Sequence, residues 1–165
     1  MMSLRWHPGP RMRKTLLLLH ILSSGAWLGI DVVLGILVFT AMLSDDSSVA
    51  ASAIASTGHF ATWPLALMGL LCLVSGVLLS TGSKYGLVRY WWVAVKLVLN
   101  VVLVTLVLVL LMPSLGPLAA EARSGGPLPE IGDLAYPPIV STTAVLVAMT
   151  LSVFKPWGRV RSGPR

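Results

Sequence analysis

Between Leu16 and Phe39 the chain reads LLLLHILSSGAWLGIDVVLGILVF, an apolar run broken by one histidine and one aspartate. A helix of about 20 apolar residues crosses the hydrocarbon of a bilayer, so a run this long is more than a buried core helix needs. The run extends from about Thr15 to Met42, and three others follow, from about Phe60 to Leu79, Trp91 to Met112 and Pro138 to Phe154. The last is the shortest and reaches membrane thickness with Tyr136 and Trp157 as interfacial anchors. With 11% charged residues and a mean hydropathy of +0.86, composition excludes an ordinary soluble domain. The expected class is an all-α membrane protein, an up-down four-helix transmembrane bundle forming one domain over residues 1–165.

Charge placement orients the bundle. Of the 12 cations, Arg5, Arg11, Arg13 and Lys14 precede the first span, Lys84 and Arg89 flank the second connection, and Lys155, Arg159, Arg161 and Arg165 follow the fourth. The positive-inside rule puts that side, with both termini, in the cytoplasm, and the expected location is a bacterial plasma membrane. The opposite connections carry Asp45, Asp46, Glu121, Glu130 and Asp133 with Arg123. A net charge of +6 invites a nucleic-acid reading, but the cations sit at the ends of apolar runs and not on one amphipathic face, so nucleic acid is not expected as a partner. RMRK before the first run and Ser24-Gly25-Ala26 within it imitate a signal peptide, yet the apolar sequence continues well past that point, as in an uncleaved span.

The polar residues inside the spans are the candidate site. Eleven residues at about 100° each bring Asp31 back to the helix face of His20, with Ser24 and Trp27 between them. At 1.5 Å per residue, His20 lies about 9 Å beyond Lys14 and Lys96 about 10 Å beyond Arg89, which places both at one depth. Asn100 is one turn deeper than Lys96 on the same face, and Trp92 one turn shallower. Asp31 falls about 25 Å from the inner side, near the level of His59. Two layers are therefore expected, His20 with Lys96, and Asp31 with His59. An ionisable group in the apolar layer must pair, protonate or meet water, and this applies most strongly to Asp31. The others have blander readings. Lys96 can extend its stem toward the headgroups, His20 can bond a neighbouring helix, and His59 can sit at the interface. Trp27, Trp63, Trp91 and Trp92 can serve as packing or belt residues, and His7 lies in a proline-flanked tail.

Small residues suggest how the helices meet. Gly25 and Gly29 form a GxxxG, and Gly69, Cys72, Gly76 and Ser80 line one face of the second span, which points to close packing within the chain before a homodimer seam. The connections 43–59 and 113–137, rich in Ser, Ala, Gly and Pro, are expected as extracytoplasmic surface segments, and 155–165 as a basic cytoplasmic tail. Cys72 stands alone, so there is no disulfide framework and no cysteine metal motif.

LHILSSGAWLGIDVVLG resembles the first membrane helix of the CopD-like superfamily of small bacterial membrane proteins, in which a histidine precedes W-x-G; here these are His20, Trp27 and Gly29. YWWVAVKLVLNVVLVTLVL resembles the lysine-bearing helix of that superfamily, with Lys96 in the matching place. Across all four spans the chain looks most like an uncharacterised family of predicted integral membrane proteins, a domain of unknown function. The resemblance implies copper handling as in CopD, or b-type haem and porphyrin chemistry as in the distantly similar HemJ-type protoporphyrinogen oxidases. Those oxidases carry an arginine and a further histidine late in the first helix, where VVLGILVF has neither.

The residues narrow these options. Met68 and Met149 are isolated and offer no copper cluster, so copper is less expected than haem, and no residues are singled out as metal ligands. His20 and His59 are at opposite levels, which disfavours bis-histidine haem and leaves a single-histidine haem b on His20 with Lys96 near a propionate or as sixth ligand. No G-x-S-x-G, HExxH or phosphate-binding glycine loop is present. The expected function is a multi-pass protein on a CopD-like scaffold holding haem b or a metal between the first and third spans at His20, Lys96, Trp27, Trp92 and Asn100. The alternatives are a membrane oxidoreductase or porphyrin-processing enzyme, and a non-catalytic subunit of a larger membrane complex.

Overall fold

A computed structural model describes residues 8–83, 86–125, 131–156, 158 and 160. The anchor Trp157, the cations Arg5, Lys84, Arg159, Arg161 and Arg165, and His7 and Glu130 lie outside the described residues. The chain forms α1 (Pro10–Leu43), α2 (Ser47–Phe60), α3 (Trp63–Thr81), α4 (Trp91–Leu106), a π-helical turn (Val107–Leu111), α5 (Met112–Arg123), a 3-10 turn (Gly132–Ala135) and α6 (Tyr136–Phe154). Four helical stretches are long and apolar enough to cross a membrane: Pro10–Leu43, Ser47–Thr81, Trp91–Arg123 and Gly132–Phe154.

Prolines punctuate these stretches. Pro64 follows the break at Ala61 and Thr62, where α2 ends and α3 begins, and it occupies the first turn of α3, where a missing N–H costs little. Pro137 and Pro138 open α6 in the same way. Pro113 is different, because the helix runs through it. Its ring excludes the normal bond to the carbonyl four residues back, and the chain absorbs the misfit as a π turn in which the Met112 N–H reaches the Val107 carbonyl.

Helices α1, α3, α4 and α6 pack in a ring in chain order, each against the next and α6 back against α1. The seam on α1 is a stripe of Ser23, Trp27, Asp31, Leu34, Val38 and Ala41, spaced by three or four residues as one buried helix face requires. It meets α3 with residue numbers running in opposite senses, His20 at Gly76 and Trp27 at Gly69. The main apolar core joins Trp27, Leu34, Leu65, Cys72, Val104, Val107, Leu115 and Val145.

Two expectations about packing are corrected. Connections 43–59 and 113–137 are largely helical, because their alanines favour helix and their small side chains let α2 and α5 approach closely. Ala50, Ala53 and Ile54 of α2, Ala122 of α5 and Ala41 of α1 form a second core. A Cβ on Gly58 would stand 2.7 Å from the Ala119 Cβ. The GxxxG of α1, in turn, packs against nothing among the described residues, since a Cβ at Gly25 or Gly29 would meet none of their atoms within 4 Å. The close approach on α1 is made instead by Trp27 against Gly69 and by His20 against Gly76.

Candidate functional site

Two polar clusters lie along the buried face of α1. In the first, His20 Nδ1 is 3.0 Å from the Cys72 carbonyl and 3.1 Å from Ser75 Oγ. A carbonyl only accepts, and Ser75 gives its own proton to the Leu71 carbonyl at 2.6 Å. The network therefore assigns the ring proton to Nδ1, and in the neutral ring Nε2 keeps a free lone pair. Gly76 makes room for the ring, since a Cβ there would sit 3.0 Å from His20 Cε1.

Lys96 takes a different course. Its Nζ donates to Ser152 Oγ of α6 at 2.9 Å and lies 4.7 Å from the centre of the Trp92 ring. Lys96 is within electrostatic reach of His20 and Cys72, but the bond it makes leads to α6 and those of His20 lead to α3. Asn100 does join the cluster, donating from Nδ2 to Cys72 Sγ at 3.3 Å, while its buried Oδ1 has no hydrogen-bond partner among the described residues. Cys72 thus links α1 and α4 through α3. Ser24 turns back on its own helix and donates to the His20 carbonyl at 2.8 Å.

The second cluster centres on Asp31. Ser141 Oγ donates to Asp31 Oδ2 at 2.6 Å and accepts from Trp27 Nε1 at 3.1 Å, a chain running from indole to hydroxyl to carboxylate. Trp27 and Asp31 are each 1% exposed and Ser141 7%, so all three groups find their partners inside the bundle. His59 is not among those partners. It lies off the buried stripe of Ala50, Ala53, Ile54 and Thr57 on α2 and is exposed, so the expected pairing with Asp31 does not form.

Asp31 and Ser141 also line a cavity of about 430 Å³ between α1, α3, the α4–π–α5 stretch and α6. Leu34, Leu65, Leu103, Val107 and Leu115 form much of its inner wall. Leu106, Leu110, Tyr136 and Val140 also line it and are 39%, 58%, 66% and 51% exposed, so its mouth opens on the outer surface of the bundle. The size suits a small organic ligand, and a mainly apolar lining with few polar groups is the usual make-up of such a site. Among the described residues, no three His, Cys, Asp or Glu side chains come together to hold a metal.

Of the expected site residues, the structure brings His20 together with Asn100 through Cys72, and sets Trp27 beside Asp31. It leaves Lys96 with Trp92 and Ser152, and His59 apart. Sequence reasoning missed Ser75 and Ser141. Ser75 was recoverable, since it lies on the small-residue face of α3 next to Cys72 and Gly76; Ser141 carries no signal, being one hydroxyl among several on α6.

These features define a helical chain with four stretches compatible with a bilayer. No family model, curated protein or solved structure matches it, and the CopD-like resemblance rests on the sequence motifs alone.

Proposed function

We propose that this chain is a multi-pass protein of a bacterial plasma membrane, an up-down bundle with both termini cytoplasmic, that binds a small apolar molecule drawn sideways from the bilayer. The observation that carries the reading is the cavity at Asp31, apolar within and lined at its mouth by exposed Leu110, Tyr136 and Val140. An apolar guest in such a space gains contacts with the wall that water cannot supply. The test is photolabelling in proteoliposomes with a neutral diazirine-bearing alkanol. Saturable labelling is expected at Leu103, Val107 and Leu115, deep in the wall, and Val107→Trp should abolish it by filling the space. Labelling confined to outward residues such as Leu17 and Leu18, unchanged by Val107→Trp, would refute the reading.

A second reading has one observation in its favour. His20 Nδ1 is tied to the Cys72 carbonyl, the arrangement that commonly orients a ligating histidine and leaves Nε2 for iron. Of the expected haem donors His20 alone fits, because Lys96 is engaged by Ser152 and Trp92. The haem would supply electron-transfer chemistry when bound, and His20 would hold it. The visible spectrum of the purified protein with added haem tests this: a Soret shift lost in His20→Ala supports it, and an unchanged free-haem spectrum rejects it.

A further inference from the structure

The Asp31 cavity has a sign as well as a shape. Its lining includes two carboxyl side chains, Asp31 and Asp133, and among the described residues no lysine, arginine or histidine. Asp31 is 1% exposed, and the polar partner the structure gives it is the neutral Ser141 hydroxyl. An ionised carboxylate held in an apolar wall without a counter-charge is costly, and a cation brought to it removes that cost. The rest of the wall is hydrocarbon.

We propose that the cavity takes a cationic amphiphile, an alkylammonium-type molecule whose head pairs with the Asp31 carboxylate while its chain lies along Leu103, Val107 and Leu115. The inference rests on the cavity-binding reading above and adds the charge of the head. Ser141 positions the acceptor: by donating to Oδ2 it fixes the carboxylate in the wall, with Trp27 bracing Ser141 from behind. The π turn supplies part of the wall, since Val107, Leu110 and Leu111 line the cavity from within it.

The experiment compares two photolabels of one chain length in proteoliposomes, a diazirine-bearing alkylamine and the matching alkanol, each displaced by its unlabelled parent. In the wild type the amine should half-saturate Leu103, Val107 and Leu115 at a concentration at least about tenfold below the alcohol. Asp31→Asn keeps an acceptor for Ser141 and should bring the two to parity. Ser141→Ala keeps the carboxylate and should retain the preference for the amine. Equal half-saturation of both labels in the wild type would overturn the cationic head while leaving the cavity reading intact. Saturable labelling by neither would overturn both. A preference for the amine that survives Asp31→Asn would place the charge recognition elsewhere and equally overturn the proposal.

Discussion

The seam between α2 and α5 lends itself to a double-mutant cycle. Ala119 is 0% exposed, and a Cβ placed on Gly58 would lie 2.7 Å from the Ala119 Cβ, against about 3.4 Å where ordinary contact begins. Gly58→Ala therefore forces the two helices apart by the difference, at least about 0.7 Å, along a contact made by small and nearly inflexible side chains. Overpacking of this kind costs about 1–3 kcal/mol, offset by about 0.5–1 kcal/mol from replacing a helical glycine, which leaves a net loss near 1 kcal/mol. Ala119→Gly removes a buried methyl, about 0.8 kcal/mol, and adds the helical glycine penalty, for a loss of about 1.5 kcal/mol. The double variant moves the methyl from one helix to the other. The clash disappears, the propensity changes cancel, and the stability should return to within about 0.5 kcal/mol of the wild type.

The assay is thermal unfolding in detergent micelles followed by far-ultraviolet circular dichroism. For a chain of this size each kcal/mol corresponds to about 3 °C, so the single variants should melt about 3 °C and 4–5 °C low and the double variant close to the wild type. A double variant melting about 8 °C low, the sum of the singles, would show that Gly58 and Ala119 do not touch. The helical α2–α5 seam would then be wrong, and the flexible connections expected from composition would be restored.

Three other outcomes follow from the geometry. Gly25→Leu and Gly29→Leu, on an open face of α1, should change the melting temperature of the monomer by no more than about 2 °C, whereas Gly69→Leu, pressed against Trp27 at 3.0 and 3.1 Å and Val104 at 3.1 Å, should lower it by about 6 °C or more in the same scan. Asp46 caps α2 by accepting from the Ser48 backbone N–H at 2.7 Å, and its bonds from the Ser48 hydroxyl and the Ser48 and Val49 backbone hold its carboxyl below the usual carboxylate range. Its folded-state value is the lower one, so the cap is fully present above the ordinary carboxylate value and is lost as pH falls through the depressed value; hydrogen exchange of the first turn of α2 should quicken over that acid window, and Asp46→Ala should abolish the pH dependence. Reporter fusions after Arg165 and between Ser83 and Leu87 should read cytoplasm and one at Ser124 the outside, and an external C-terminus would break the orientation drawn from the cations.

How much of this was legible in the sequence depends on the range of the interaction. The apolar runs were legible because a bilayer demands about 20 apolar residues whatever their neighbours, and 15–42, 91–112 and 138–154 all fall in helical stretches, while 60–79 begins at the last residue of α2 and crosses into α3. The face shared by His20, Trp27 and Asp31 was legible because helical periodicity is local. The partners were not. Asp31 finds Ser141 110 positions away, and nothing local marks that hydroxyl; depth alone suggested His59, but depth leaves rotation about the helix axis undetermined, and α2 turns His59 away. The partner of Lys96 was hidden for the same reason: it is within electrostatic reach of His20, yet its ammonium donates to Ser152 of α6.

The proline at 113 shows a local signal with a distant consequence. The apolar run of the third span gives out at Met112, and the Ser-, Ala-, Gly- and Pro-rich stretch after it reads as a surface connection. The chain keeps its helix and shifts the misfit one turn back into Val107–Leu111. That shift has two effects on the site. It changes the azimuth of every residue beyond it, which is what lets Leu115, Ala119 and Ala122 face inward after Leu103 and Val107 have done so on α4 and the turn. It also sets the turn against the cavity, whose lining includes Val107, Leu110 and Leu111 together with Asp31. A proline within a stretch whose composition reads as a connection therefore helps both to bury α5 against α2 and to place the turn that lines the space in front of the one carboxylate buried among the described residues.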